Sequence, residues 1–270
     1  MNFNFELILF YAVVISGVIY LFDILFLAKK RNQIYQKENK KNPNPPEMKY
    51  PLIIEYARSF FPILLIVFLL RSFLYEPFRI PSSSLEPTLL VGDFLLVNKF
   101  DYGVRLPVVH KKLFNNSDPK RGDIFVFRFP ANPSIDFIKR VIGLPGDHIK
   151  YIDKVLYING EKMPQTLLDT TTRVDEQGVT QDVYLKEENL MGVKHNIYQN
   201  KNQTSENFDD IVVPEGMYFA MGDNRDDSAD SRYWGFVPDK NIIGKAVVIV
   251  GSWDSSKYRL RLNRSFQRIE

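Results

Sequence analysis

Twenty-two residues from Leu7 to Ala28 are apolar apart from Asp23, and as a helix rising about 1.5 Å per residue they match the ~30 Å hydrocarbon thickness of a bilayer. Such a stretch constrains the rest of the chain more than any other feature, because it assigns residues 1–28 to a membrane anchor. A cleavable leader would carry basic residues before a shorter apolar core, whereas here only Glu6 precedes the core and the cations follow it. A permanent transmembrane helix is therefore expected. Asp23 lies beside Lys29, Lys30 and Arg31, which favours a carboxylate reaching the interface among cations over a proton relay.

A second apolar stretch predicts a second transmembrane helix over residues 53–75. Its uncharged centre, Ser59 to Leu70, is short, but Glu55, Arg58 and Arg71 at its ends can snorkel to the headgroups and Pro62 is tolerable near a helix start or at a kink. Residues 29–52 form a basic loop. Residues 29–49 hold seven Lys or Arg against Glu38 and Glu47, and contain the helix-breaking run Asn42-Pro43-Asn44-Pro45-Pro46. The positive-inside rule puts this loop in the cytoplasm, and both the N-terminus and residues 76–270 outside.

That outer part, roughly 190 residues, is large enough for one sizeable core. The chain's formal charge of +3 is concentrated in the basic loop, which leaves the remainder slightly acidic and argues against nucleic acid as a partner. The absence of cysteine excludes a thiol nucleophile, a disulfide and a thiolate metal site. His110, His148 and His195 lack ligand-like spacing and read as ordinary loop or surface residues. With no glycine-rich phosphate loop and no paired His/carboxylate cluster, neither metal nor cofactor is expected.

After Glu76 the chain breaks into short β-branched and aromatic runs, among them Phe94 to Val97, Ile124 to Phe129, Phe137 to Ile142 and Ala246 to Val250. Val155 to Ile158 followed by Asn159-Gly160 predicts a hairpin, because a type I′ turn needs positive φ at both central residues. The expectation is a mostly β fold, an antiparallel sheet or barrel-like domain following two N-terminal transmembrane helices. Residues 164–208, rich in Thr, Gln, Asn, Lys and Glu, read as an inserted, partly flexible excursion without chemistry. Trp253 and Val247 to Val250 read as a core strand, with an interfacial contact as the weaker alternative.

Three segments carry the chemistry in combination. Pro81-Ser82-Ser83-Ser84-Leu85-Glu86-Pro87 places three hydroxyls in a proline-bounded turn, which taken alone is more often a solvated loop. Phe137 to Asp147 is a strand holding Lys139 and ending in Gly-Leu-Pro-Gly-Asp. Met221 to Arg232 alternates carboxylates with arginines and contains Ser228.

With Tyr75-Glu76-Pro77-Phe78, Arg121-Gly122-Asp123 and the run Tyr233-Trp234-Gly235-Phe236-Val237-Pro238, these segments resemble the type I signal peptidases, or leader peptidases. The likeness is to the two-span form of Gram-negative inner membranes and extends over nearly the whole chain. The resemblance implies a membrane-bound serine endopeptidase that removes signal peptides from exported preproteins. It implies Ser84 as nucleophile, Lys139 as its base, Ser82 with the Ser84 amide as the oxyanion hole, and Ser228 as the residue orienting the lysine. Ser83 stands where the family usually has glycine and Leu85 where it usually has methionine; the first substitution bears on the backbone freedom of the turn.

The chemistry also stands on its own. A serine hydroxyl attacks only when a base takes its proton, and a neutral amine can do so without histidine. An ordinary lysine, with pKa ~10.4, is neutral about once in 10³ at pH 7, so the site must desolvate it. On a strand Lys139 shares its face with Phe137 and Val141, whereas Ile138 and Arg140 point the other way. The carboxylates of the last segment suggest a calcium loop as a rival, but arginines can neutralise them. Asp223, Arg140, Asp230 and Arg232 are expected to form a supporting ion-pair network behind Ser228, and Ser231 a structural contact. Phe78, Ile80 and Ile138 are the candidate walls for the small side chains of an Ala-x-Ala cleavage site on an extended substrate. Two other readings are open: a self-cleaving Ser/Lys protease of the repressor kind, against which two membrane spans and the lack of a DNA-binding module argue, and a non-catalytic envelope scaffold.

Overall fold

Apolar side chains on every face make a helix that needs an apolar surrounding, and both N-terminal stretches have that character in the computed structural model, which describes residues 5–39, 50–175 and 178–269. The first helix, α1 (Phe5–Phe22), runs through a π-helical turn at Asp23–Leu27 into α2 (Ala28–Asn39). The helix thus extends past the expected end at Ala28, because Lys29 to Asn39 contains no glycine or proline to stop it. The Asn42 to Pro46 run lies outside the described residues. The second helix, α3 (Leu52–Phe73), takes Pro62 in its interior. Leu9 and Val13 of α1 pack against Phe68 of α3, and a Cβ added at Gly17 would stand 2.7 Å from the Phe61 ring, so glycine is what lets the two helices approach there. Asp23 is fully buried and takes both Nη groups of Arg31 at 2.6 and 2.7 Å, with Arg58 of α3 at 3.6 Å.

From Tyr75 onward the alternation of inward and outward residues gives strands. In chain order these are β1 (Tyr75–Arg79), β2 (Asp93–Asn98), β3 (Ile124–Phe129), β4 (Asn132–Gly143), β5 (His148–Ile152) and β6 (Val155–Ile158). There follow β7 (Gln165–Val174), β8 (Thr180–Leu190), β9 (Val193–Asn200), β10 (Phe208–Val212), β11 (Met217–Met221) and β12 (Ile242–Asp254). The principal sheet runs β1-β2-β12-β3-β4-β11, with short edge pieces at Val237–Pro238, Arg259–Leu260 and Gln267–Arg268; the pairings along it are antiparallel. A smaller sheet holds β10-β5-β6, and β7-β8-β9 make a separate antiparallel meander. The mostly β, antiparallel architecture expected from the sequence is present, and Val247 to Val250 lie within β12 as a strand.

Asn159 and Gly160 join β6 to the short antiparallel strand Glu161–Lys162, which completes the smaller sheet, with φ of 53° and 80°, the pair of positive values a type I′ turn requires. The region 164–208 departs from expectation. It is a regular meander, and its polar composition hid the pattern because several inward-facing positions hold charged or amide groups: Glu188, His195 and Gln199 are buried.

Candidate active site

Strand alternation does the first part of the positioning. On β4, Phe137 and Val141 join an aromatic cluster with Phe125, Phe127 and Trp234, whereas Ile138 packs with Ile80, Leu85 and Leu95 on the other side. Lys139 sits on the first face with its side chain buried, and its Nζ lies 2.5 Å from Ser84 Oγ. The Phe137 ring centroid is 5.7 Å from the same nitrogen. Burial is the largest influence on the amine and pulls its pKa down to about 8; Arg232 acts in the same direction, and the charges of Asp230, Asp223 and Asp227 act against them.

Ser84 reaches the lysine from the loop after β1. Backbone hydrogen bonds from Glu86 N to Ser83 O and from Leu89 N to Leu85 O close the loop, and Leu85 and Leu89 anchor it in the core. Ser82 Oγ is 3.4 Å from Ser84 Oγ. Ser83 is not at positive φ, so the turn does not require glycine at that position, and its hydroxyl donates to Asp227 at 3.1 Å.

The third segment, Gly222 to Ser228, packs directly on the serine loop. Asn224 donates from its backbone to Ser84 O and from its side chain to Ser83 O, at 3.1 and 3.2 Å, and Thr88 Oγ1 donates to Asp223 at 2.5 Å. A Cβ at Gly222 would collide with Ser84 O and Ser228 Oγ, which is why this approach needs glycine. Ser228 lies in the same cleft as Ser84 and Lys139, but its buried hydroxyl makes no hydrogen bond. The expected bond to Lys139 is not formed, since the amine is turned to Ser84.

The carboxylates of this loop each have a basic partner, most of them from elsewhere in the chain. Asp223 receives Nε and Nη2 of Arg140, both at 2.8 Å, and Asp230 receives Nε and Nη2 of Arg232, also at 2.8 Å, together with Gly222 N. Burial raises the pKa of both carboxyls, and the charges and hydrogen bonds of Arg140 and Arg232 outweigh it, so both lie below the ordinary aspartate value. Asp226 pairs with Lys154 and Asp227 with Arg173, while Arg225 turns to Glu188 on β8. Ser231 Oγ accepts from Ala220 N at 2.9 Å.

His195 corrects the surface reading of the histidines. Its side chain is buried between Glu188 and Asp223, at 3.6 and 3.7 Å, and burial lowers its pKa to about 4. Sequence reasoning also missed Thr88, Arg173 and Glu188, which brace the serine loop or the loop packed on it, and it set Arg225 against the acids of its own loop, whereas Arg225 pairs with Glu188.

The cleft above Ser84 and Lys139 holds about 610 Å³ and is lined by Pro81, Ser82, Ile135 to Ile138, Asp226 to Ala229 and Tyr233. Ile138 is in it. Phe78 and Ile80 do not line it but belong to the clusters that Ile138 packs on, Ile80 fully buried with Leu89 and Ile124, and Phe78 half-buried against Val97, Val126 and Ile243. Among the described residues no group of His, Cys, Asp and Glu has the arrangement of a metal site.

A serine hydroxyl and a desolvated amine at the floor of an open cleft, on an antiparallel β domain, have the composition of a serine peptidase site. The family model for "Signal peptidase, peptidase S26" matches residues 53–253. Signal peptidase I of Pseudomonas fluorescens is 45% identical and that of Pseudomonas aeruginosa 46% identical, each alignment covering 95% of both chains. Signal peptidase I of Haemophilus influenzae is 34% identical over 91% of this chain and 85% of its own. A solved signal peptidase I of Enterococcus faecalis V583 aligns at 32% identity over 48% of this chain and 97% of its own, with a TM-score of 0.31. The chain belongs to the signal peptidase family, peptidase S26, and is a peptidase.

Proposed function

We propose that this peptidase cleaves N-terminal signal peptides from exported preproteins after small residues of the Ala-x-Ala type, with Ser84 as nucleophile and Lys139 as general base. The observation that carries the reading is the 2.5 Å approach of Lys139 Nζ to Ser84 Oγ in a site where burial brings the amine's pKa near 8. At that value about one lysine in ten is neutral at pH 7, a gain of roughly 300-fold over the free side chain.

Ser84 Oγ attacks the carbonyl carbon before the scissile bond while its proton passes to Lys139. The oxyanion that develops is stabilised by the Ser82 hydroxyl and the Ser84 N–H. As the C–N bond breaks, the Lys139 ammonium returns the proton to the leaving amine and the mature protein departs. A water molecule then gives a proton to Lys139 and attacks the ester; the proton returns to Ser84 Oγ as the signal peptide leaves. Ser228 orients the lysine when it turns from Ser84 during this cycle.

The strand order supports an extended substrate. β11 pairs with β4 only from Arg140 to Gly143, so the edge of β4 over Ile135 to Lys139 that faces away from β3 has no partner strand among the described residues. A substrate strand added there sends alternate side chains into the cleft, beside Ile138.

Two helices long and apolar enough to cross a membrane support insertion in a bacterial inner membrane, with the basic loop cytoplasmic and the catalytic domain periplasmic. The signal peptide's apolar body lies in the same bilayer, so a nucleophile that follows α3 closely along the chain meets its bond after a short search. Incubation of the detergent-solubilised protein with a preprotein bearing an Ala-x-Ala site should yield a single mature N-terminus, and Ser84→Ala should yield none; cleavage by Ser84→Ala overturns the reading. Protease added to right-side-out spheroplasts should digest the large domain, and protection until lysis, for a domain sensitive when isolated, overturns the topology.

A further inference from the structure

Both loops of the site are held from behind by the meander. Arg173 on β7 is buried, its Nη1 donates to Asp227 at 2.8 Å, and its Nε lies 3.4 Å from Glu86. Glu86 follows Ser84 by two residues and Asp227 precedes Ser228. One guanidinium therefore bridges the loop of the nucleophile and the loop that packs on it. Asp227 also accepts the Ser83 hydroxyl, so it is the point where the three segments meet.

We infer that Arg173 is a positioning residue for the peptidase reaction: it holds the Ser84 loop and the Asp227–Ser228 loop together and cancels the Asp227 charge beside Lys139. The inference rests on Lys139 being the base, as proposed above.

Without the guanidinium, Glu86 and Asp227 are two carboxylates on facing loops with their shared cation gone, and their repulsion drives apart the elements that set the Ser84–Lys139 distance. The uncancelled Asp227 charge also acts on Lys139. The charged groups facing that amine are Asp223 and Asp230, each held by its own arginine, Asp227, and Arg232. Asp226 and Asp136 also line the cleft, Asp226 held by Lys154 and Asp136 on β4 with Lys139. Asp223, Asp230 and Asp227 favour the protonated amine, and of these Asp227 alone depends on the meander for its counter-charge. Losing Arg173 therefore stabilises the ammonium, and the base becomes available only at higher pH.

The test is the pH–kcat profile of preprotein cleavage by the full-length protein in detergent. Arg173→Gln should move the acid limb upward by about half a pH unit and lower activity at pH 7 about threefold or more. Arg173→Lys, which keeps the charge, should leave the limb in place. Asp227→Asn, which removes the negative charge and leaves the guanidinium, should move it in the opposite direction, and the double variant Arg173→Gln/Asp227→Asn should return it toward the parent. A purely structural role would lower the profile without displacing it. An unmoved limb in both Arg173→Gln and Asp227→Asn, or displacement of both in the same direction, overturns the inference. Lys139→Met separates the two readings: if it cleaves, the base assignment has failed, whereas an inactive Lys139→Met beside an unmoved limb means that only the role of Arg173 has failed.

Discussion

Arg225 forms a fully buried ion pair with Glu188, a partner 37 residues earlier in the chain, with Nη1 at 2.8 Å from Oε1 and Nη2 on Oε2. It joins the loop packed on the Ser84 loop to the middle strand of the meander. Burial opposes ionisation of Glu188, and the charge and hydrogen bonds of Arg225 outweigh it, so the carboxyl's pKa lies below the ordinary glutamate value.

Removing one member of such a pair leaves the other charge buried without a partner, at a cost of about 3–5 kcal/mol. Glu188→Ala should therefore lower stability by that order in urea denaturation. The sign with pH follows from the lowered pKa: the pair's contribution is complete above the unfolded glutamate value near 4.3 and is lost as pH falls through the lower folded value. The parent should lose stability over that acid range more steeply than Glu188→Gln. Equal acid slopes would mean that Glu188 is not held ionised by Arg225.

Ser82 Oγ lies 3.4 Å from Ser84 Oγ on the same loop. If it donates to the oxyanion, it acts on the transition state and little on bound substrate, and losing one such donor costs about 10² to 10³ in turnover. Ser82→Ala should lower kcat by that factor with KM changed little. Ser82→Thr, which keeps the hydroxyl, should retain activity where its methyl fits the cleft. Normal turnover by Ser82→Ala would assign the oxyanion to another group.

How far the sequence disclosed this site depends on how local each contact is. Ser84 and Lys139 were legible because each sits in a distinctive short segment, and the face of Lys139 followed from strand alternation through Phe137 and Val141. Asn159-Gly160 announced its turn because two positive φ values are rarely tolerated by other residue pairs. The partners of the acidic loop were not legible in the same way. Asp227 and Arg225 could have paired with neighbouring residues of opposite charge, and only the register of β7 with β8 places Arg173 and Glu188 under them. Polar residues on the inward face of that meander also suppressed the alternation that identifies strands. Ile80 is ambiguous in the sequence for the reverse reason: an apolar residue near the serine suits a pocket wall and a core position equally, and its burial is visible only in the fold.

Lys139 should trade stability for catalysis. With the folded pKa near 8 and the unfolded value near 10.5, the folded protein binds fewer protons between those pH values. The penalty of the buried amine is therefore complete below about pH 8, on the order of 3 kcal/mol, and fades as pH rises toward the unfolded value. Lys139→Met removes the charge and keeps an unbranched apolar stem. It should be inactive, more stable than the parent at pH 7, and closest to it near pH 10.5. Lys139→Arg should be inactive as well, because a guanidinium cannot take the serine proton. A marked loss of stability in Lys139→Met would mean that the surrounding carboxylates stabilise the ammonium by more than burial penalises it.

Ser228 has a different signature. Its hydroxyl is buried and makes no hydrogen bond while Lys139 is turned to Ser84, so in the resting state it contributes a desolvation cost without a compensating bond. Its worth must then appear when the amine leaves Ser84, carrying the proton, and needs an acceptor to fix its direction toward the leaving group. Ser228→Ala removes the cost and the acceptor together. The variant should be as stable as the parent or more stable by about 1 kcal/mol, with kcat reduced and KM nearly unchanged. Ser228→Thr, which restores the hydroxyl with an added methyl, should recover part of the turnover. A Ser228→Ala enzyme that is destabilised but turns over normally would mean that the hydroxyl serves packing around Gly222, not the direction of the lysine.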